Sequence, residues 1–104
     1  MSQFVVYANA DAASRKSIPA WLNVQSDLIE TADSRVVVPM VTPAQAGSSI
    51  QRLMPELAVA GKRMVMDTAQ ITHVPLQMLG KQLDDLSHER LAIIDAIDML
   101  THGI

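Results

Sequence analysis

The sequence predicts a mainly β domain ending in a C-terminal α-helix, a fold class that rests on three observations. Short apolar runs rich in β-branched residues recur through the first two thirds of the chain, separated by turn residues such as Gly61 and Gly80. From Ser87 onward the period changes to helical: SHERLAIIDAIDMLTHGI spaces Ile93, Ile97 and Leu100 four and three residues apart, and Leu86 and Ile94 widen the stripe. Short strands followed by one terminal helix are the pattern of an antiparallel sheet that curls into a small barrel with the helix packed outside. At 104 residues the chain has room for one core, so residues 1–104 read as a single domain.

Gln3 to Asn9 carries aromatic and β-branched residues suited to a first strand, and Asp11 to Ser17 is polar and loop-like. Trp21 to Ile29 alternates apolar and polar, with a second strand or a bulge expected from Ser26. In that pattern Leu28 and Ile29 are core residues. Arg35 to Val41 is a β-branched strand that Pro39, having no amide hydrogen, assigns to an edge or a strand end. Thr42 to Arg52 is either a loop or one short helix begun by Thr42 and Pro43. Leu53 to Ala60 alternates around Pro55, Gly61 turns with Lys62, and Arg63 to Met66 returns as the hairpin partner. Val74 to Leu79 is a last short strand, closed by Gly80 and Lys81 before the helix. The methionines at 40, 54, 64, 66, 78 and 99 are core filler in this reading, and Met99 also suits a dimer interface.

The helix is expected to start on Ser87 as N-cap, with Glu89 placing negative charge where the dipole is positive. Its other end is electrostatically awkward, because Asp98 and a carboxylate after Ile104 lie where the terminus is already partly negative. His102, Gly103 and Ile104 form a tail that no later element covers, which suggests a surface kept for a partner; a frayed terminus is the plainer alternative. Gly103 either permits close approach of two backbones or ends the helix as an ordinary C-terminal glycine.

Composition narrows the function classes. Hydrophobic residues make up 49% of the chain against 18% charged, more apolar surface than so small a domain easily hides, and a homodimer is the default expectation. A net charge of −3 with no run of Lys and Arg argues against direct binding to nucleic acid. There is no cysteine, so disulfides and thiol catalysis are excluded. MSQFVVYANA has neither a basic start nor an apolar stretch of signal length, so the chain reads as cytoplasmic and unprocessed, with no membrane span. His73, His88 and His102 lack metal-site spacing, Ser87 and His88 are adjacent and do not face each other on a helix, and no glycine-rich phosphate loop occurs. No catalytic residue, metal or cofactor is assigned.

Four segments together carry a family resemblance: NVQSDLIET (Asn23 to Thr31), RVVVP (Arg35 to Pro39), THVP (Thr72 to Pro75) and DLSHER (Asp85 to Arg90). With the aliphatic helix that ends in Gly103 and Ile104, they resemble the CcdB toxin family, in order and over nearly the whole chain. The match is weakest from Ala10 to Ala20 and from Thr42 to Arg52. The resemblance implies a homodimer of an SH3-like β-barrel with a small additional sheet and a C-terminal helix. It also implies a toxin that poisons DNA gyrase through the A subunit and is neutralised by a partly disordered, CcdA-like antitoxin.

Carried over from the family pattern, the gyrase-contacting positions fall on the aliphatic pair Leu28 and Ile29, on Asp98, and on Thr101, His102, Gly103 and Ile104. Three of them depart from it, since the pattern ends in Phe-Trp-Gly-Ile with an Asn on the preceding helical turn, where this chain has Thr101, His102 and Asp98. A Trp there implies stacking on a gyrase arginine, a cation–π contact worth about 0.5 to 2 kcal/mol. Neutral His102 is planar and stacks over a smaller area, whereas protonated His102 repels the same arginine, so gyrase affinity is expected to fall as pH drops through the histidine range. Two rival readings follow. One is a CcdB-like toxin whose target interaction is attenuated or redirected by Asp98, Thr101 and His102. The other is an mRNA-cleaving toxin of the same fold, which needs basic and hydroxyl groups converging on a phosphate; the candidates Ser14, Arg15, Lys16, Arg35 and Thr68 are not a recognisable set.

Overall fold

The computed structural model describes residues 1–48 and 50–103. Its strands are β1 (Val5–Asn9), β2 (Ala20–Asn23), β3 (Ser34–Val41), β4 (Glu56–Val59), β5 (Lys62–Met66), β6 (Thr72–Pro75) and β7 (Leu79–Asp85). Two helices accompany them: the single turn α1 (Pro43–Ala46) and the terminal α2 (Arg90–His102). All pairings are antiparallel, in the order β4-β5-β3-β2-β1-β7, with β6 added to β3 outside that path. The sheet curls into a half-barrel. The closed barrel expected from sequence is not reached, because no ladder joins the end strands β4 and β7 among the described residues. At that seam the Ala60 amide donates to the Asp84 carboxylate at 2.8 Å.

Both faces of the central strands are covered. Val6, Ala20, Leu22, Val38 and Met40 face a main core with Leu57, Val59, Met64, Met66, Leu86 and, from α2, Ile93 and Ala96. Val5, Tyr7, Trp21 and Val37 face the other way, into a smaller core completed by Val74 and Leu79. Two-sided cover is why β2 is buried at every residue and shows no wet face. The strand seen from Gln3 begins only at Val5, because Phe4 takes a left-handed φ of 67° that turns the chain before the ladder starts.

Pro39 is neither at an edge nor at a strand end. It lies inside β3, opposite Trp21 of β2, at the point where the far side of β3 changes partner: β6 pairs with Ser34 to Val37 and β5 with Met40 and Val41. Its carbonyl faces that gap and accepts from the Asp67 amide at 2.9 Å. In an antiparallel strand a residue's N–H and C=O point the same way, so the missing amide hydrogen falls where no ladder bond was due. The limb that β6 makes with the first half of β3 belongs to the same seven-stranded sheet, so no separate small sheet is seen among the described residues.

Between Val74 and the helix the sequence expectation is corrected. Val74 lies inside β6, which ends at Pro75, Leu76–Met78 is a 3-10 turn, and a full strand, β7, runs through Gly80 and Lys81, the residues expected to close the strand. Gly80 is favoured by proximity. A Cβ there would lie 3.0 Å from the Ala8 carbonyl oxygen of β1 and 3.4 Å from the Ala10 side chain. The expected hairpin forms, but its turn lies one residue earlier than Gly61 and Lys62: Ala60 and Gly61 take the positive φ that a two-residue type I′ turn demands, and Lys62 already pairs with Val59. In the Thr42–Arg52 stretch the helical alternative holds, and Thr42 and Gln45 cap it reciprocally.

Ser87 is not the N-cap of the terminal helix. Ser87–Glu89 is a 3-10 turn before α2, and the capping group is one element back: the Asp85 carboxylate accepts from both the Ser87 amide and the Ser87 hydroxyl. These bonds, the hydroxyl first, hold the Asp85 carboxyl below the usual carboxylate range. Helix α2 then buries Ile93 and Ala96, half-buries Ile94, Ile97 and Leu100, and leaves Leu91 exposed on its outer face.

Candidate functional site

Leu28 and Ile29 are the largest correction to the apolar pattern. The segment after Asn23 is not a second strand but a turn between β2 and β3, and it lifts both side chains into solvent: Leu28 is 93% exposed and Ile29 61%. The turn is built by its polar neighbours. Ser26 accepts from the Leu28 amide at its hydroxyl and from the Ile29 amide at its carbonyl, and Asp27 accepts from the Gln3 amide. The Gln25 side chain spans the loop, donating to the Ile29 carbonyl at 2.5 Å and accepting from the Val36 amide of β3 at 3.0 Å. Polar anchoring at the base thus presents two aliphatic side chains at the tip.

The second group of residues lies at the end of α2. Asp98, Thr101, His102 and Gly103 are all exposed. Gly103 takes a left-handed φ of 74° and its amide closes on the Met99 carbonyl at 2.8 Å, so the helix-ending role is the one seen. A Cβ on Gly103 would meet nothing within 4 Å among the described residues. The Thr101 hydroxyl donates back to the Ile97 carbonyl at 3.1 Å and lies 2.9 Å from His102 Nδ1. This contact ties the His102 ring to the last turn of the helix. Ile104 lies outside the described residues.

An unforeseen ion pair stands beside this tail. Arg52 grips Asp95 with two parallel bonds, Nε to Oδ2 at 2.8 Å and Nη2 to Oδ1 at 2.9 Å, tying the chain before β4 to the helix. The guanidinium, chiefly through these hydrogen bonds, keeps the Asp95 carboxyl below the usual carboxylate range. Arg52, Asp95, Asp98 and His102 line one open depression of about 390 Å³. Leu28 and Ile29 do not line it, so two separate exposed features carry the sequence-assigned site. Arg52 and Asp95 are 43 positions apart, beyond any spacing motif.

Three of the five residues named for RNA cleavage are engaged within the fold. Thr68 is fully buried and donates to the Met66 carbonyl, the Ser14 hydroxyl donates to Asp11, and the Arg35 guanidinium holds the carbonyls of Thr31 and Ser34. Among the described residues no helix is long and apolar enough to cross a membrane. Against protein families, a family model described as CcdB protein matches residues 3–103 of the chain.

Proposed function

Since the chain belongs to the CcdB family, and so to the toxins of toxin–antitoxin modules, we propose that it arrests growth by binding the A subunit of DNA gyrase and trapping the enzyme's cleaved-DNA complex. The protein contributes no bond-breaking chemistry of its own in this reading; gyrase supplies the cleavage. Leu28 and Ile29 on the loop, and Asp98, Thr101, His102, Gly103 and Ile104 at the helix end, make the contact. A homodimer presents two copies of both features, and a disordered CcdA-like antitoxin wraps the dimer in the cytoplasm to neutralise it.

The observation that carries this reading is the exposure of Leu28 and Ile29. Two adjacent aliphatic side chains held in water by a hydrogen-bonded loop contribute nothing to folding, and covering them on binding recovers about 25 cal/mol per Å² of apolar surface. The test is a direct binding titration with the gyrase A subunit, with Leu28→Ala and Ile29→Ala beside the parent protein. Each substitution is expected to weaken binding tenfold or more while leaving the thermal transition unchanged. Parent-like affinity in both variants would remove the loop from the interface.

One observation favours the attenuated or redirected alternative. His102 is tied to Thr101 and shares its depression with two carboxylates, so this helix end presents acceptors where the family pattern has an aromatic face. The same titration separates the two: an attenuated toxin binds gyrase weakly and gains affinity on His102→Trp.

A further inference from the structure

We infer that Gln25 is the positioning residue that holds Leu28 and Ile29 ready for their partner, a step that rests on the contact role proposed above. The β2–β3 ladder ends abruptly beside it. The Val24 amide still donates to the Val36 carbonyl at 3.1 Å, but the return bond is not made by backbone. The Val24 carbonyl turns away to accept from Gln3 Nε2 at 3.1 Å, and the Val36 amide is taken instead by Gln25 Oε1 at 3.0 Å. One side-chain amide therefore stands in for the missing rung. Its other end, Nε2, reaches across the loop to the Ile29 carbonyl at 2.5 Å and to Thr31 Oγ1 at 3.3 Å. The backbone of Gln25 is itself anchored from below, its amide donating at 3.2 Å to the buried Asn23, whose side chain holds the Ser2 carbonyl at 2.9 Å.

The chemistry is specific to a primary amide at this reach. It needs an acceptor toward β3 and a donor toward the loop at once, which a carboxylate lacks at neutral pH and a thioether lacks entirely. Without the clasp, the Ile29 carbonyl and the Val36 amide face solvent, and the tip that carries Leu28 and Ile29 is released. Binding then has to order the tip, and the loss falls on affinity more than on folding.

The experiment uses Gln25→Met and Gln25→Glu in the full chain, with backbone amide relaxation, thermal unfolding and gyrase A titration on each. Order parameters from Leu28 to Thr31 are expected to fall from about 0.85 to below about 0.6 while the rest of the sheet keeps its values. Gyrase affinity is expected to fall about tenfold, and Gln25→Met is expected to add nothing further in a Leu28→Ala, Ile29→Ala background. Unchanged order parameters overturn the inference whatever gyrase does, as does an affinity loss that persists undiminished in that background. If Leu28→Ala and Ile29→Ala leave affinity untouched, the contact reading fails and the affinity half of the inference with it, while the relaxation data alone decide whether Gln25 sets the loop.

Discussion

Replacing Ile93 with Ala tests whether α2 is part of the core or only laid upon it. Ile93 is fully buried and belongs to the main cluster with Val6, Leu22 and Met66. The substitution removes three carbons, about 2.5 kcal/mol at ~0.8 kcal/mol per buried methylene. The unfilled space raises the cost to about 3 to 4 kcal/mol, because barrel strands tied into a ladder collapse only partly onto a cavity. For a domain near 100 residues each kcal/mol moves Tm by about 4 to 8 °C, so a fall of at least ~12 °C is expected. Urea unfolding at fixed protein concentration, followed by the fluorescence of Trp21, the one tryptophan and itself buried, reads the change directly. The control lies two residues earlier: Leu91 is 82% exposed, so Leu91→Ala is expected to stay within about 0.5 kcal/mol of the parent. A loss below about 1 kcal/mol for Ile93→Ala, or equal losses for the two, would refute the packing of the helix against the sheet.

Three further outcomes follow from the same structure. Burial pushes the Asp67 carboxyl up from its ordinary value; the folded state then holds that proton more tightly than the unfolded chain, and stability declines as pH rises through the window above the ordinary carboxylate range. Asp67→Asn should therefore be more stable than the parent at pH 7 and equal to it near pH 3, in paired thermal melts. Asp85 has the opposite sign: its carboxyl is depressed by the Ser87 hydroxyl and amide, so its contribution is present above the ordinary carboxylate range and is lost as pH falls through the lowered folded value. Ser87→Ala should flatten that acid-side loss in a pH series of melts. Gly61→Ala meets open space but a φ of +81°, so it should cost about 1 kcal/mol by backbone strain alone, measured by urea unfolding.

Local chemistry made part of this fold readable and left other parts hidden. The terminal helix shows itself because Ile93, Ile97 and Leu100 repeat at its own period, and a hairpin shows itself at Gly61 because a two-residue turn needs a glycine, though its turn lies one residue earlier, at Ala60 and Gly61. Strand β7 escapes the same reading: its side chains are mostly wet, and the glycine that resembles a stop is there for close approach to Ala8. Pro39 misleads for a similar reason. Whether a missing amide hydrogen is costly depends on which strand lies opposite, and β6 and β5 join β3 from more than 20 positions away. Leu28 and Ile29 look like core in any apolar count, and only the family resemblance assigns them to the surface, where the fold puts them. The Arg52–Asp95 clasp and the Gln25 bridge are products of folding, with no local spacing to announce either.

The central claim, that this toxin acts on gyrase through its loop and helix end, is tested most directly by a cleavage assay. Purified protein, gyrase, ATP and supercoiled plasmid are stopped with detergent and protease, with a protein lacking residues 103 and 104 and the Leu28→Ala variant run alongside. Linear DNA that appears with the parent and is lost with both variants is the expected result. No linear DNA from a parent protein that still arrests growing cells would contradict the account and move the target away from gyrase.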